Sequence, residues 1–324
     1  MLVDAGPGES GGKVVSYLRS QGVSTVDVIV ATHPHEDHIG GMVDVLNNFN
    51  VGLYVDNGVT HTTSTYENLV NKLVDDQTPY AEVKAGKTIP FATGILISVI
   101  SPTSISGDMN EDSIILKITD GTQTILLTGD SSLTPGDVQA QILKVPHHGS
   151  KHSSDSSYYR QVNPEVAVIC VGRGNDFGHP SAQVIDNIEK AGASLFRTDN
   201  DGTVVISTDG NSWQVESSGM SSSSSKPSFQ PIYQRTISPT PKPTQKSYTP
   251  FVAPVIVQPA SAFVQNSQSS GSAPCNCAGP DLDCKDFSTR REAQACFDYC
   301  KSNGYGDCFR MDGDKDGKVC ESKK

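Results

Sequence analysis

The stretch Thr32-His-Pro-His-Glu-Asp-His-Ile-Gly-Gly41 places three imidazoles and a carboxylate within six residues. It follows a short, mostly apolar and β-branched run at residues 26–32, which is typical of a buried strand. A loop that leaves the end of such a strand can direct several side chains to one point. Imidazole and carboxylate ligands suit zinc, manganese or iron. The stretch therefore predicts a metal site at a strand end, and a solvated polar loop is the weaker alternative.

Helical and strand patterns alternate around this stretch. Residues 12–21 have apolar side chains at helical spacing, and Gly22 stands where a left-handed C-terminal cap is expected. The turn at Asp209-Gly210 separates two strand runs and predicts a hairpin that closes the domain. Further strands are predicted at residues 52–56, 95–100, 114–118, 124–128, 166–171 and 194–198, and helices near 66–75 and 180–190. The pattern predicts an α/β domain.

Composition divides the 324 residues into three sections. Residues 217–280 contain no Asp or Glu and are rich in Ser and Pro, and such a segment cannot bury enough apolar surface to fold. We therefore predict a folded domain at 1–216, a disordered linker at 217–280 and a small domain at 281–324. The first section has 26 acidic residues against 12 Lys plus Arg, a net charge of −14. That charge argues against an unaided nucleic-acid binder, because contacts with phosphates supply most non-specific affinity.

Cysteine is concentrated in the last fifty residues, which hold seven of the eight. This density favours disulfides, and hence an oxidising compartment, over a zinc site, since no paired Cys-x-x-Cys motifs occur and no histidine follows His179. The remaining Cys170 lies in an apolar run and is interpreted as a small core residue. No apolar run of 18 residues occurs, so no transmembrane segment is expected. No leader is visible either, so we expect an upstream segment with an export signal to be missing.

Short motifs in a fixed order resemble the metallo-β-lactamase superfamily, and within it the hydrolase domain of ComEC competence proteins. The resemblance runs from about residue 2 to 215. It rests on Asp4-Ala-Gly6, the stretch at 32–41, Asn110-Glu-Asp-Ser113, Leu127-Thr-Gly-Asp130, Leu143-Lys-Val-Pro-His-His-Gly-Ser150 and Gly178-His-Pro180. It implies a four-layer αββα sandwich, here expected to lack its first strands, with two divalent metal ions, zinc or manganese, at one edge of the sheets.

The resemblance also implies a role for each matching residue. His33 and His35 would hold one metal, and Asp4 would support the histidine loop. The second metal would be held by Asp37, His38 and His148, with Asp130 bridging the pair. The family's usual third-motif histidine has no counterpart, and Asn110 and Ser113 stand in its place, as in ComEC-like members. The first metal is therefore expected to be bound more weakly.

Two metal ions would acidify a bridging water and stabilise the charge that develops during hydrolysis. Catalytic roles are predicted for Asp37, His147 and His179, with the two histidines as candidate general acids. A structural role for His179 remains open. Lys144 could offer positive charge, although a solvated strand lysine is the commoner case. His61 and His152 match no motif position and receive no role.

The C-terminal section contains Asp312-Gly-Asp-Lys-Asp-Gly-Lys-Val-Cys-Glu321, which has the carboxylate spacing of a calcium loop of the EF-hand type. The final glutamate stands at position ten rather than twelve. The section from about residue 281 resembles the Excalibur extracellular calcium-binding domain, in which that shorter loop is usual. The resemblance implies that one Ca²⁺ is held by Asp312, Asp314, Asp316 and Glu321, and by the backbone of Lys318. A charged turn without metal is the alternative.

These features predict a secreted or cell-surface hydrolase that cleaves phosphodiester bonds in extracellular DNA. The tail would locate or stabilise it outside the cell, and association with the cell surface is one way to do so. A second hypothesis has the same metal site but a different substrate, either a small phosphoester such as a phosphocholine ester, or a lactam or thioester. The charge of −14 favours that alternative. A third is a non-catalytic surface-binding protein with a degenerate metal site, and the full set of predicted ligands argues against it.

Overall fold

The computed structural model describes residues 1–219, 258–259, 294 and 296–297. Two compact units are distinguished, Met1–Ala262 and Phe263–Lys324. The described helices are α1 Gly11–Ser20, α2 Glu36–Ile39, α3 Met42–Asn48, α4 Ser64–Asp75, α5 Ser156–Val162, α6 Ala182–Lys190 and α7 Thr198–Asp201. The strands are β1 Leu2–Val3, β2 Thr25–Val26, β3 Ile29–Val30, β4 Asn50–Val51, β5 Tyr54–Asp56, β6 Pro79–Glu82, β7 Ile95–Ser101, β8 Ile115–Asp120, β9 Gln123–Leu127, β10 Ile142–Lys144, β11 Val166–Ile169, β12 Ser194–Arg197, β13 Val204–Thr208, β14 Trp213–Ser217 and β15 Gln258–Pro259.

The first sheet has five strands in the order β1-β3-β5-β6-β15. Strands β1, β3, β5 and β6 of this sheet are parallel, and β1 pairs directly with β3. β15 adds antiparallel to β6, so two residues of the predicted linker belong to this sheet. The other described residues of 217–280 are 217–219, of which Ser217 ends β14.

The prediction of one continuous strand at residues 26–32 is wrong. β2 pairs with β4 in a separate two-stranded ladder, whereas β3 lies between β1 and β5. The backbone carbonyl of Val26 accepts from Gly52 N at 3.0 Å, and that of Val28 accepts from Leu2 N at 2.8 Å. The run therefore changes its partner strand at Asp27, a long-range choice that local composition does not encode.

The second sheet has six strands in the order β12-β11-β10-β9-β8-β7. The strands from β9 to β12 are parallel, and β7, β8 and β9 are antiparallel neighbours. β13 and β14 form the hairpin that the Asp209-Gly210 turn predicts. Parallel strands require long crossovers, and helices α5 and α6 provide them between β10 and β12.

The two sheets share one apolar core. Val30 and Val55 of the first sheet pack in the same cluster as Ile97 and Leu116 of the second. The other face of the second sheet packs against helices α5 and α6, where Tyr159, Val162, Val184 and Ile188 are buried with Leu143 and Ala167. Helix α3 contacts both α1 and α4. The described residues 1–219 therefore form the α/β domain that the sequence pattern predicts.

Cys170 is exposed, so its interpretation as a core residue is wrong. β11 ends at Ile169, and Cys170 therefore falls just beyond the buried part of the strand. Within the described residues, no helix combines the length and hydropathy needed to cross a bilayer.

The predicted calcium ligands lie outside the described residues. Of the second unit, the structure describes Gln294, Cys296 and Phe297, of which the last two are buried. Calcium binding, the disulfides and the domain boundaries stay predictions. The ligands concerned are Asp312, Asp314, Asp316, Lys318 and Glu321.

Candidate metal centre

The candidate site lies where strands of both sheets end. His33 follows β3, Asp130 follows β9, and His148 follows β10. The carboxyl ends of parallel strands are the usual place for sites in α/β folds, because the loops leaving them converge. His33 and Asp130 are only 1% and 3% exposed, respectively.

Asp130 lies at the centre of this cluster. Its carboxylate oxygens are 3.3 Å from His38 Nε2, 3.7 Å from His148 Nε2 and 3.8 Å from His33 Nε2. Asp37 lies at the outer side, where its Oδ2 is 3.3 Å from His148 Nε2. Ligand atoms fall into two groups, each with all atoms within 4.8 Å of one another: His33, His38 and Asp130, and Asp37, His38 and His148.

Three polar atoms of this cluster indicate that a cation fits there. His38 Nε2, His148 Nε2 and Asp130 Oδ1 are buried, and none of them forms a well-aligned hydrogen bond among the described residues, although His38 Nε2 and Asp130 Oδ1 lie 3.3 Å apart. A buried polar atom without a partner costs about 1–3 kcal/mol, and three such atoms facing one another are rare in a folded protein. Imidazole nitrogens and carboxylate oxygens are ligands for zinc and manganese. The residues present therefore fit the divalent ions that the resemblance implies.

His35 approaches the cluster from the side of His33. Its Nδ1 lies 2.9 Å from His33 Nε2, so the two ring nitrogens face each other. His35 belongs to neither compact ligand group, whereas His38 belongs to both. The structure thus brings all six predicted metal ligands to one place, with a grouping that differs from the one implied by the resemblance.

Asp4 orients His38 from behind the cluster. His38 Nδ1 lies 2.7 Å from Asp4 Oδ2, and Thr32 donates to the same carboxylate from its backbone N at 2.8 Å and its hydroxyl at 2.9 Å. The backbone of Asp4 is left-handed, with φ 57°. A carboxylate on one ring nitrogen fixes the tautomer and leaves the other nitrogen for a metal. His38 therefore presents Nε2 to Asp130.

Ser113, which the resemblance places at the third motif, links Asp130 to His33. Its hydroxyl accepts from Asp130 N at 3.1 Å and lies 3.2 Å from His33 Nδ1. Gly129, at φ 52°, makes this approach possible, because a Cβ there would come within 2.8 Å of Ser113 Cβ and 2.9 Å of Thr32 Cβ. The strand end that delivers Asp130 is therefore packed directly against the histidine loop.

The turn that carries His147 and His148 has an unusual backbone. Both residues are left-handed, with φ 46° and 51°, a conformation that is uncommon for residues other than glycine. His148 is also held through its Nδ1, which lies 2.7 Å from the Cys170 carbonyl oxygen. The turn brings His147 Nε2 to 3.8 Å from Asp130 Oδ2. Strained backbone of this kind clusters at functional sites.

Three further side chains lie beside the cluster, and of these only His179 belongs to the predicted catalytic residues. The Lys144 ammonium lies 3.7 Å from Asp130 Oδ1, so this lysine is not simply solvated. The ring of His61 lies 6.0 Å from that of His35, and the ring of His179 lies 5.9 Å from that of His147. His61 follows β5, and it reaches this sheet edge because β5 pairs in parallel with β3.

Charges in the cluster are strongly coupled. Burial alone would raise the pKa of Asp130, but the contact with His38 and the charge of Lys144 outweigh burial and hold the pKa well below its usual range. Burial alone would lower the pKa of His38, yet Asp4 and Asp130 raise it. Burial, followed by the positive charge on His38, lowers the pKa of His33 to about 3. Without a metal, a proton on His38 offsets the carboxylates, and a bound cation can replace that proton.

The sequence of this chain is similar to the sequences of known proteins. A model of the metallo-beta-lactamase superfamily matches residues 1–173. The ComE operon protein 3 of Bacillus subtilis is 28% identical over 202 residues, covering 59% of this chain and 26% of that protein. Recombination protein 2 of Haemophilus influenzae is 26% identical over 219 residues, covering 64% and 26%. Competence protein ComA of Neisseria gonorrhoeae is 27% identical over 201 residues, covering 59% and 26%.

The chain thus spans about a quarter of the length of these curated relatives. Among solved structures, the metallo hydrolase Igni18 from the archaeon Ignicoccus hospitalis is similar, with 20% identity and a TM-score of 0.37. That match covers 53% of this chain and 75% of Igni18.

Proposed function

This chain belongs to the metallo-β-lactamase superfamily, and from that premise we propose that its first domain is a metal-dependent phosphodiesterase acting on DNA. The observation that carries the proposal is the buried cluster around Asp130, with its three polar atoms that lack a well-aligned hydrogen bond among the described residues. Such a cluster costs stability unless a ligand uses it, so its presence favours a working site over a degenerate one.

We propose that His33, His35 and Asp130 hold one ion and that Asp37, His38, His148 and Asp130 hold the other, which is the grouping implied by the resemblance. His38 also lies close to His33 and Asp130, so the two ligand sets adjoin each other at His38. When bound, two divalent ions, zinc or manganese, would supply Lewis acidity and a water of lowered pKa. The remaining chemistry comes from the protein. Asp4 and Thr32 keep His38 oriented, and Lys144 offsets the negative charge of Asp130.

A leaving alkoxide needs a proton, and His147 is the better placed of the two candidate donors. Its Nε2 lies 3.8 Å from Asp130 Oδ2 and its side chain is 31% exposed, so it borders both the cluster and the solvent. His179 stands one ring further out, edge-on to His147. We propose His147 as the general acid, with His179 positioning its ring. Asp37 contributes as a metal ligand on the open side of the cluster.

DNA is proposed as the substrate because of the names of the relatives. One is named a competence protein, one a recombination protein, and one a protein of the ComE operon. A specific observation favours a second candidate, the small phosphoesters: the net charge of −14 in residues 1–216 repels a polyanion. Bound cations would reduce that repulsion locally.

The tail and the location of the protein are proposed from the sequence. We propose that residues 281–324 form an Excalibur-like domain that binds one Ca²⁺, and that the protein acts outside the cell or at its surface. The predicted disulfides agree with that location.

The test is a hydrolysis assay on protein reconstituted with zinc or manganese. Substrates are labelled single-stranded DNA and bis-p-nitrophenyl phosphate, and the variant is Asp130→Asn. Loss of the central carboxylate is expected to lower kcat/KM on both substrates by at least about a hundredfold. The matched control is Asp186→Asn, which removes an exposed carboxylate from helix α6 and should leave activity unchanged. Full activity of Asp130→Asn would overturn the proposed mechanism, and cleavage of the small ester alone would favour the second candidate.

A further inference from the structure

Phe177 is an aromatic side chain left in solvent beside the candidate site. It is 80% exposed, more than any other large apolar side chain of residues 1–219. A single exposed apolar residue is common and proves nothing by itself. The position of this one is the informative feature.

Two imidazole rings, those of His147 and His179, connect the buried cluster to Phe177. His147, whose Nε2 is 3.8 Å from Asp130, has its ring centroid 5.9 Å from that of His179 in an edge-on contact. The His179 ring is in turn 5.9 Å from the Phe177 ring, and these two planes are nearly parallel, at 25°. Phe177 therefore presents a flat ring face, and the rings of His147 and His179 lie between it and the cluster.

The loop that carries Phe177 is held by side-chain to backbone bonds. Asn175 brackets His179, since its Oδ1 accepts from His179 N at 3.0 Å and its Nδ2 donates to His179 O at 2.7 Å. Arg173 Nε donates to the Asp199 carbonyl at 2.9 Å. These bonds preorganise the stacked pair, so that little ordering is required when a ligand binds.

The charge of the domain explains why such a contact would be useful. With a net charge of −14, residues 1–216 gain little from long-range attraction to phosphates. Stacking of a base on an aromatic ring does not depend on phosphate charge and tolerates any base, because every base has a flat face. An unpaired base can offer that face, whereas a base inside a duplex is covered by its neighbours on both sides.

We propose that Phe177 and His179 form a stacking subsite for one unpaired nucleobase next to the cleaved phosphodiester, so that the enzyme acts on single-stranded DNA in preference to duplex. This inference rests on the proposed function. It assigns Phe177 a role in substrate selection and none in the chemical step.

The test compares full-length, metal-loaded variants on three substrates: a single-stranded oligonucleotide, the same sequence as a duplex, and an abasic oligonucleotide of equal length. Phe177→Ala is expected to lower kcat/KM on the single strand by about tenfold, and to leave the abasic substrate unaffected. Phe177→Trp should retain activity on the single strand. Phe177→Leu keeps an apolar side chain without a flat face and should behave like the alanine variant.

Other outcomes separate a failure of the subsite from a failure of the proposed DNA substrate. Three results would each overturn the subsite while leaving the phosphodiesterase intact. In the first, wild type and Phe177→Ala cleave the single strand at equal rates. In the second, Phe177→Ala loses equal activity on base-bearing and abasic substrates, and in the third, wild type cleaves single strand and duplex equally well. If wild type cleaves bis-p-nitrophenyl phosphate but none of the oligonucleotides, the DNA substrate is wrong and the subsite fails with it.

Discussion

Replacing Asp56 with asparagine is expected to change how the stability of the first domain depends on pH. Asp56 ends strand β5 and is 5% exposed, and its Oδ1 accepts from Gly58 N at 2.8 Å and from the Tyr80 hydroxyl at 2.9 Å. Burial raises the pKa of this carboxyl to about 7, although those two hydrogen bonds act in the opposite direction. The side chain has no cationic partner among the described residues.

The size of the effect follows from the difference between folded and unfolded pKa values. The ordinary value of 3.8 rises to about 7, and three pKa units correspond to about 4 kcal/mol. A raised pKa means that the folded state holds the proton more tightly than the unfolded state. The contribution of protonated Asp56 to the free energy of unfolding is therefore fully present below pH 4 and is lost as the pH rises from about 4 to 7. Asparagine cannot ionise and should show no such loss.

The assay is urea unfolding between pH 4 and pH 8 with a chelator present, followed by the fluorescence of Trp213. This is the only tryptophan of the chain, and it lies in β14. Relative to wild type, Asp56→Asn should become more stable as the pH rises, so that its free energy of unfolding gains up to about 4 kcal/mol on that of wild type between pH 4 and pH 8. Asp186→Asn, at an exposed ion pair, should show a shift below about 1 kcal/mol. A difference for Asp56→Asn that stays constant with pH would refute the reasoning.

Three further changes test the support of the metal centre. Asp4→Asn weakens the contact that orients His38, so zinc affinity measured by competition with a chromophoric chelator should fall by about ten- to a hundredfold, and an unchanged affinity would contradict that role. Gly129→Ala forces a Cβ against Ser113 and Thr32 at a left-handed position, and thermal unfolding should show a loss of at least about 2 kcal/mol; wild-type stability would argue against the close packing. Adding zinc or manganese to the metal-free protein should raise its Tm, whereas the Asp130→Asn variant should show little increase.

Much of the second sheet was predictable because most of its strands are short runs rich in apolar and β-branched residues, whether they lie at the centre or at the edge of the sheet. β7, β8, β9 and β12 lie at the predicted positions within one or two residues. β10 was not predicted, since its three residues are too few to form a recognisable run. Which partner strand a segment chooses is a long-range property, and for this reason the division between β2 and β3 was not predicted.

The candidate site was predictable to the extent that its ligands lie in short motifs. The cluster of His33, His38 and Asp130 depends on residues that follow strands of two different sheets, and the motifs already marked these three. The surroundings were not predictable in the same way. Lys144 has the spacing of an ordinary strand residue, and only the fold reveals its distance of 3.7 Å from Asp130. The nearness of His61 to His35 likewise depends on the pairing of β3 with β5.

Metal content tests the central claim most directly. Wild-type protein reconstituted with zinc or manganese and freed of excess metal should contain about two transition-metal ions per chain by elemental analysis. The reason is that two groups of ligand atoms lie side by side, one with His33 and Asp130 and one with Asp37 and His148, and both include His38. Asp130→Asn should retain less than one ion while keeping the circular dichroism of the wild type. Wild-type protein that holds no stoichiometric metal, or a variant that keeps the full complement, would contradict the account.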